Sequence, residues 1–448
     1  MTPKMINGVW STKARLVARG FEEDSSQIRA DSPTCMRETI RIMLTLASSY
    51  KWNVSTIDIK AAFLQGKPIE RDVFLKPPKE AASKDKLWRL KKVVYGLSDA
   101  SRVWYLTVLE ELSKLKVTVS KFDKAAFFRI ADDRLQGIII VHVDDFLWAG
   151  TEEFVSEVII PLRSVFKISK EYDRAFKYIG IDLVQTQNEI VINQKKYIDS
   201  ISQVVIDKSV ENDNSRLATE LEKRQFKGVV GQLNWAASIT RPDIAFNSCE
   251  LSTLQSNPSL ACLKKANKIV KDVKSDHLEI KFRPLDLASI QLIVYSDASY
   301  ENLQDGSSQG GHMIFLSDNV GRCSPISWSS KRIKRVARST LSAEVQAAVE
   351  ALDTAYMVKT FCCELFNIQE LAVTLFVDNK SLHDAVNTTN LISDKRLRID
   401  IAAIREMSEK EEVQIKWVDT KSQIADVLTK KGPSKYNLLK VLQQGLLH

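Results

Sequence analysis

Asp144 and Asp145 stand side by side between two apolar runs, in IIIVHVDDFLWAG (138–150). Adjacent charges in such a setting are costly unless a cation neutralises them. Acidic residues at hairpin turns are ordinary, and the chain carries its own control. Asp132-Asp133, flanked by Ala, Arg and Gln, reads as a simple surface turn. Asp58 ends another apolar strand, NVSTIDI (53–59), and is followed by AAFLQG. Carboxylates gathered within ~4 Å repel by about 4 kcal/mol per pair at moderate effective dielectric, so a cluster of these three calls for cations. Mg²⁺ suits it, being a hard ion that takes carboxylate and phosphate oxygens together. Two such ions could activate a hydroxyl and steady a leaving pyrophosphate. Four further carboxylates stand at element ends or on helices: Asp297 and Asp378 end strands, Glu344 lies in the first turns of a helix, and Asp426 lies in the last helix. Taken singly these are unremarkable. A helical Glu is usually solvated, and Asp378-Asn379 could simply open a turn.

The elements that must hold these residues fall into three regions. The first, to about residue 205, mixes short strands and helices. Its acidic pair joins two apolar strands, and YIGIDLVQTQNEIVINQ (178–194) reads as a second hairpin turning at Gln187-Asn188. Between them, TEEFVSEVIIPLRSVFK (151–167) has helical spacing after a Thr cap. A polar stretch at 205–225 reads as a linker, followed by a mostly helical segment to about 285. There Lys264, Lys268 and Lys271 share one helix face, which reads either as a solvated face or as a stripe along a phosphate backbone. The last region shows strands at 291–299, 311–317 and 324–330, a long helix at 339–365, a strand at 371–379 and a further helix. The strand 413–420 and a last helix at 422–431 follow. Three meandering strands followed by alternating helices and strands argue for a mixed α/β layer domain.

A chain of 448 residues is expected to form two or three domains, and 44% apolar residues is a globular share. The longest apolar stretch, 135–143, is far short of a membrane span. The amino terminus has no apolar block suited to a secretory signal, although its Lys and Arg keep a transit-peptide reading open. The net charge of +8 favours a polyanionic partner only weakly. Six cysteines without paired zinc spacing or a disulfide framework point to free thiols in a reducing compartment.

TKARLVARGF (12–21), STIDIKAAFLQG (55–66), LWRLKKVVYGLSDASRVWY (87–105) and VHVDDFLWAG (141–150) resemble, in order, the motifs of copia-type reverse transcriptases. YIGIDL (178–183) and GQLNWAASITRPDIAF (231–246) are further matches, so the resemblance covers nearly the whole chain. It implies an α/β (α+β) fold: right-hand polymerase fingers and palm over 1–205, a mostly helical thumb or connection over 206–285, and a ribonuclease H-like mixed-sheet domain over 286–448. It also implies that the fingers lack a strand or two before KARLVARG. Asp58, Asp144 and Asp145 become the polymerase metal ligands. Lys13 and Arg15 match finger residues near the incoming deoxynucleoside triphosphate. Phe63 matches the aromatic gate that would clash with a ribose 2′-hydroxyl. Gly96 matches a glycine near the nucleotide pocket, and Tyr178, Ile179 and Gly180 match the primer grip. For the last assignments ordinary core packing is the competing account.

SDAS, SAEVQA, LFVDNKSL and QIADVLTK resemble the Asp-Glu-Asp-Asp order of the ribonuclease H domain of the same elements, and PISWSSKR and RIDIAAIRE also look like that domain. The resemblance implies Asp297, Glu344, Asp378 and Asp426 as ligands for two-metal hydrolysis, with two Mg²⁺ (or Mn²⁺) at each site. Its partners would be an RNA template, a DNA primer and an RNA–DNA hybrid, with no membrane. KRIKRVAR (331–338), five basic residues in eight, reads as a loop beside the duplex or as a localisation signal. Two departures stand out. His142 replaces the usual Tyr before Val-Asp-Asp, and Ser98-Asp99-Ala100-Ser101 replaces the usual Lys-Gln-Ala-Pro. The expected function is therefore RNA-directed DNA polymerase with ribonuclease H. The alternative is an inert remnant that folds and binds nucleic acid, while an integrase would leave the palm motifs unexplained. A cytoplasmic particle is the default location, with the nucleus as the other. Oligomeric state, primer and host are not legible.

Overall fold

The computed structural model describes residues 2–6, 9–13, 16–78, 80–81, 86–207, 213–303, 305–388 and 394–447, with backbone alone for 2–13. It divides into two compact units, Met1–Met36 with Ser55–Tyr172, and Arg37–Val54 with Asp173–His448.

The first unit is built on a six-stranded sheet, in the order Ile168–Asp173, Val54–Ile59, Asp145–Gly150, Arg134–His142, Ala126–Ala131, Thr118–Val119. The 138–150 run forms the expected hairpin, and it is central because both its faces are apolar. Ile139 pairs with Trp148 and Val141 with Phe146. These four join a core with Trp104, Val108 and Leu112 of the Ala100–Lys114 helix and with Phe154 and Val158. The helical segment after Thr151 forms as expected, its cap hydroxyl accepting from the Phe154 N–H at 3.2 Å. It passes through a π turn at Val155–Ile159 before resuming at Ile160–Val165. Pro161 has no N–H to bond the carbonyl four residues back, so the widened turn falls where that bond is missing.

The second unit contains a four-stranded antiparallel sheet, a helical cluster and a five-stranded mixed sheet. The four strands are Ala175–Tyr178, Ile181–Gln185, Ile190–Asn193 and Ile280–Phe282. The hairpin at 178–194 turns through 186–189 as read from sequence, with Gln185 opposite Ile190. In the helical cluster, Phe226, Val230 and Leu233 of Glu220–Ile239 meet Leu263, Ile269 and Val270 of Leu260–Ser275. Lys268 and Lys271 lie exposed on the latter helix, away from that apolar stripe. The polar stretch 205–225 is not a separator of compact units. Within it Ala218 is buried and donates to the Pro258 carbonyl, and Thr219 and Glu222 close a capping box that starts the helix. Its residues 208–212 lie outside the described residues.

The five-stranded sheet runs Cys323–Arg332, Gln309–Ser317, Gln291–Ser299, Val373–Val377, Gln414–Trp417. The first three strands are antiparallel and the last two join in parallel. The Thr340–Phe366 helix packs on Gln291–Ser299 and Gln309–Ser317. One expected element differs. The segment 422–431 is not an α-helix but two 3₁₀ turns, Thr420–Ser422 and Ile424–Leu428. Its backbone is drawn onto the sheet by Gln423 donating to the Ser296 carbonyl (3.0 Å), Ser330 to that of Leu428 (2.6 Å) and Asn302 to that of Thr429 (2.7 Å). Gly311 permits this approach, since a Cβ there would come within 2.7 Å of Leu428 Cβ.

The helix Arg37–Tyr50 belongs to this second unit although it comes early in the chain. Arg41, fully buried, explains the attachment. Its guanidinium lies 3.5 Å from the Trp328 ring centroid and donates to the carbonyls of Ile326 (2.9 Å), Ser238 (2.7 Å) and Ile239 (3.2 Å). Burial pulls its pKa down to about 9. None of the six cysteines is in a disulfide, and no helix among the described residues is long and apolar enough to cross a membrane.

Candidate functional site

In the first unit the acids are set by strand ends. Asp58 is the penultimate residue of Val54–Ile59, and the Ile59 N–H donates to the Asp144 carbonyl at 2.8 Å. His142 pairs with Asp145, leaving Val143 and Asp144 as a two-residue turn. Val143 adopts φ +56°, a left-handed conformation that a β-branched residue rarely tolerates. Its carbonyl is fixed by Trp104, whose indole N–H donates to it at 2.6 Å and whose ring packs edge-on to Phe166 at 5.0 Å. Asp145 is pushed up to about 6, first by burial and then by Asp144 and Asp58, so the three acids share one field. They are half-buried side chains, open enough to meet a ligand.

Around them, Phe63 is buried in the core against Tyr95, ring centroids 4.6 Å apart. Gly96 has φ +92°, and a Cβ there would fall 2.0 Å from the Ala18 carbonyl oxygen. The strap 16–20 therefore crosses the 95–97 turn at a point where only glycine fits, with the Ala18 N–H donating to the Tyr95 carbonyl at 2.7 Å. A groove of about 530 Å³ opens beside this crossing, lined by Val17, Arg19, Glu23, Phe74 and Leu97 among others. Asp99 is buried and clasped by Arg71 through two bonds of 3.0 Å, while Arg71 also pairs with Glu23. Arg15 and the Lys13 side chain lie outside the described residues. In the second unit Tyr178 is buried and opposes Ile181 across a turn in which Ile179 (φ +38°) and Gly180 (φ +85°) are both left-handed, the pattern of a I′ hairpin.

The second acidic set also lies in the second unit. Strands Gln291–Ser299 and Val373–Val377 run parallel with Tyr295 beside Phe376, which carries Asp378 to the end at which Asp297 sits. Glu344 projects from the first turns of Thr340–Phe366, a helix whose Ser339 cap accepts from the Ser342 N–H at 3.1 Å. Each of Asp297, Glu344 and Asp378 offers one oxygen within 4.8 Å of the others, the only such trio of potential metal ligands among the described residues. Burial, with the neighbouring acids adding to it, pushes Asp297 up to about 7 and Glu344 well above the usual carboxylate range. Glu344 Oε2 is buried and has no hydrogen-bond partner. A hard divalent cation fits this donor set, since it would convert three repelling acids and an orphaned oxygen into ligands. Asp426, on the Ile424–Leu428 turn, is outside the trio and pairs with Lys430. Lys430 also stands 3.3 Å from Asp297 Oδ1. Burial opposes its charge, yet Asp297 and Asp426 together hold its pKa above the ordinary value. Thr429 donates to Asp297 Oδ2, and Thr420 to Asp378 Oδ2 at 2.8 Å.

Residues 4–219 match the family model described as reverse transcriptase (RNA-dependent DNA polymerase). Over 448 aligned residues the chain is 28% identical to the retrovirus-related Pol polyprotein from transposon RE1 of Arabidopsis thaliana, covering 93% of this chain and 29% of that protein. The corresponding polyprotein from transposon TNT 1-94 of Nicotiana tabacum is 27% identical, with 96% and 34% covered. Residues 4–219 thus match a reverse transcriptase family model, and the chain as a whole is similar to transposon Pol polyproteins. The chain spans about a third or less of the length of these relatives. Among solved structures, the foamy viral protease-reverse transcriptase is similar at 14% identity. The TM-score is 0.55 for its dRH form with double-stranded DNA, covering 93% of this chain and 64% of that one. It is 0.51 for the complex with an RNA/DNA hybrid, covering 91% and 48%. The expected mixed α/β architecture is the one observed, with a five-stranded mixed sheet in the last region, and its fold is shared with the foamy viral protease-reverse transcriptase.

Within residues 4–219, the structure brings Asp58, Asp144 and Asp145 together, and it shows how the departure at 98–101 is absorbed, through the Arg71–Asp99 clasp. Sequence reasoning missed Trp104, Arg71, Thr429 and Lys430. Only Lys430 carried a signal, four residues beyond Asp426. The basic run 331–338 is partly neutralised, Lys331, Arg332 and Arg335 pairing with Glu350, Asp305 and Asp400.

Proposed function

We propose that this chain is an RNA-directed DNA polymerase with ribonuclease H activity from a copia-type retrotransposon. Residues 1–205 serve as fingers and palm, 206–285 as thumb or connection, and 286–448 as the nuclease. The observation that carries the reading is the convergence of Asp297, Glu344 and Asp378 in the same chain as the Asp58–Asp144–Asp145 hairpin site. The substrates are an RNA template, a DNA primer, deoxynucleoside triphosphates and the RNA–DNA hybrid, and Mg²⁺ is the metal at both sites. Bound there, Mg²⁺ would neutralise charge on the reacting phosphate and lower the pKa of the attacking hydroxyl or water. The chain's part is to aim the acids. Trp104 fixes the palm turn, and Thr429 and Thr420 orient Asp297 and Asp378. Gly96, Phe63 and, by resemblance, Lys13 and Arg15 serve nucleotide binding, Phe63 as the sugar gate. Tyr178, Ile179 and Gly180 serve as the primer grip. A cytoplasmic particle is the default location, with the nucleus as the alternative.

Primer extension on an RNA template, run beside cleavage of a labelled hybrid, tests this. Asp144→Asn is expected to lower extension by on the order of 10³-fold and leave cleavage intact, and Asp378→Asn to do the reverse. A folded chain that binds hybrid but does neither reaction would instead be an inert remnant, as the replacement of Tyr by His142 before the acidic turn would suit.

Metal binding should also be proton-linked. The folded-state pKa values of Asp297 and Glu344 lie above their unfolded values. The stability that Asp297 contributes is therefore fully present below about pH 4 and is lost as pH rises through about 7, and that of Glu344 is likewise lost as pH rises through its own raised value. Mg²⁺ requires the ionised forms, so its stabilising effect runs the other way. The thermal shift on adding Mg²⁺ is expected to be larger at about pH 8 than at about pH 5.5, and Asp297→Asn should flatten the difference. An equal shift at both pH values in the parent chain would show that these carboxyls do not bind the ion.

A further inference from the structure

Lys430 follows Asp426 by four residues and reaches two nuclease acids at once. It pairs with Asp426 Oδ1 and lies 3.3 Å from Asp297 Oδ1. The other Asp297 oxygen already accepts from Thr429. The backbone before Lys430 is tied to the sheet through the Ser296, Leu428 and Thr429 carbonyls, whereas the lysine side chain is one-third exposed on a flexible stem. The ammonium can therefore leave the acids without any movement of the main chain. Three acids converge without Asp426, and among them Glu344 Oε2 is buried and unpartnered.

We propose that Lys430 is a tethered cation holding the Asp297–Asp426 side of the nuclease site, so that divalent ions load in order. The first binds Asp297, Glu344 and Asp378 with the lysine in place. The second shares Asp297 with Asp426 and enters only as the lysine withdraws. The physical ground is that Mg²⁺ needs oxygens at about 2.0–2.1 Å, and an ammonium already drawn to the same two carboxylates repels it from that position. Asp426 thus acts as a metal ligand only in the second step, which accounts for its absence from the trio. This inference rests on the nuclease reading above.

The test is Mn²⁺ binding by calorimetry and electron paramagnetic resonance, without nucleic acid. The full chain would carry Asp144→Asn and Asp145→Asn to silence the other cluster. The parent should bind in two separated steps. Lys430→Met should tighten the second by about tenfold, equivalent to about 1.4 kcal/mol, and leave the first within about threefold. Lys430→Arg, which keeps the charge, should stay near the parent, and adding Asp426→Asn to Lys430→Met should abolish the second step. A second step that is unchanged or weaker in Lys430→Met, while Asp378→Asn still removes the first, overturns the proposal alone. The same holds for Lys430→Gln, which guards against a misfolded Met variant, with folding checked by near-ultraviolet circular dichroism. If no step responds to Asp378→Asn, the nuclease reading falls and takes the proposal with it.

Discussion

Trp104→Phe is expected to lower primer extension by on the order of 10–10²-fold, the range that a small misplacement of reacting groups produces. Hybrid cleavage should stay within about twofold of the parent. The indole N–H is the donor to the Val143 carbonyl at 2.6 Å, and that carbonyl belongs to a residue held at φ +56° between His142 and Asp144. A left-handed valine persists only where its surroundings over-determine it. Phenylalanine keeps most of the ring's packing against Phe166 but cannot donate, leaving the carbonyl without its bond at a cost of about 1–3 kcal/mol. The relief available to the turn is to relax toward a commoner conformation, which swings Asp144 relative to Asp58. Trp104→Ala adds the loss of a side chain only 1% exposed, about 3–5 kcal/mol, and should lower the thermal midpoint as well. Extension at the parent rate by the Phe variant would show that the hydrogen bond does not set the catalytic turn.

Arg241→Met is expected to destabilise the second unit by about 3–5 kcal/mol, the usual cost of removing one partner from a buried ion pair. Arg241 and Asp243 are 2% and 1% exposed, joined by Nε–Oδ1 at 2.8 Å and Nη2–Oδ2 at 2.9 Å. The same guanidinium donates to the Val273 and Asp276 carbonyls at 3.1 and 2.7 Å, closing the end of the Leu260–Ser275 helix. Although burial pushes the other way, Arg241 holds the Asp243 carboxyl below its ordinary pKa, with Lys435 assisting. That stability is present above the unfolded carboxylate value and is lost as pH falls through the folded one. Replacing both members, Arg241→Met with Asp243→Leu, should recover much of the loss, because no buried charge is then left unpaired. Urea unfolding followed by fluorescence reads both outcomes. A single Met variant within about 1 kcal/mol of the parent would mean that water reaches the site.

Much of this was legible in the residues. The run QLIVYSDAS forms a strand over the same residues, 291–299, because its apolar positions serve both faces of a central strand. The 138–150 hairpin was equally plain, since two apolar runs around an acidic pair leave few alternatives. The segment 422–431, read as a last helix, was misread for an equally physical reason, and the last α-helix among the described residues is Tyr436–Gln444. Ile424, Val427 and Leu428 have helical spacing, yet the segment's shape is decided by carbonyl and side-chain partners at 296, 302 and 330, roughly a hundred residues away. The same limit hid Lys430, whose meaning depends on Asp297, and Trp104, whose partner is a main-chain oxygen with no sequence signature. The tightest acidic convergence, likewise, joins residues from two parallel strands and a helix, and no local pattern places them within one ligand's reach.

The early helix Arg37–Tyr50 makes synthesis of this protein a problem of waiting. Arg41 finds its acceptor at Ile326, 285 residues downstream. At about 5–20 residues per second, that stretch takes roughly 15–60 s to emerge. Until that interval ends the helix lacks its aromatic lid, Trp328, and the Ile326 carbonyl, and for the first 197 residues it lacks the Ser238 and Ile239 carbonyls as well. The packing around Arg41 therefore closes only after Ile326 and Trp328 have emerged, and the early helix must be kept from wrong partners until then.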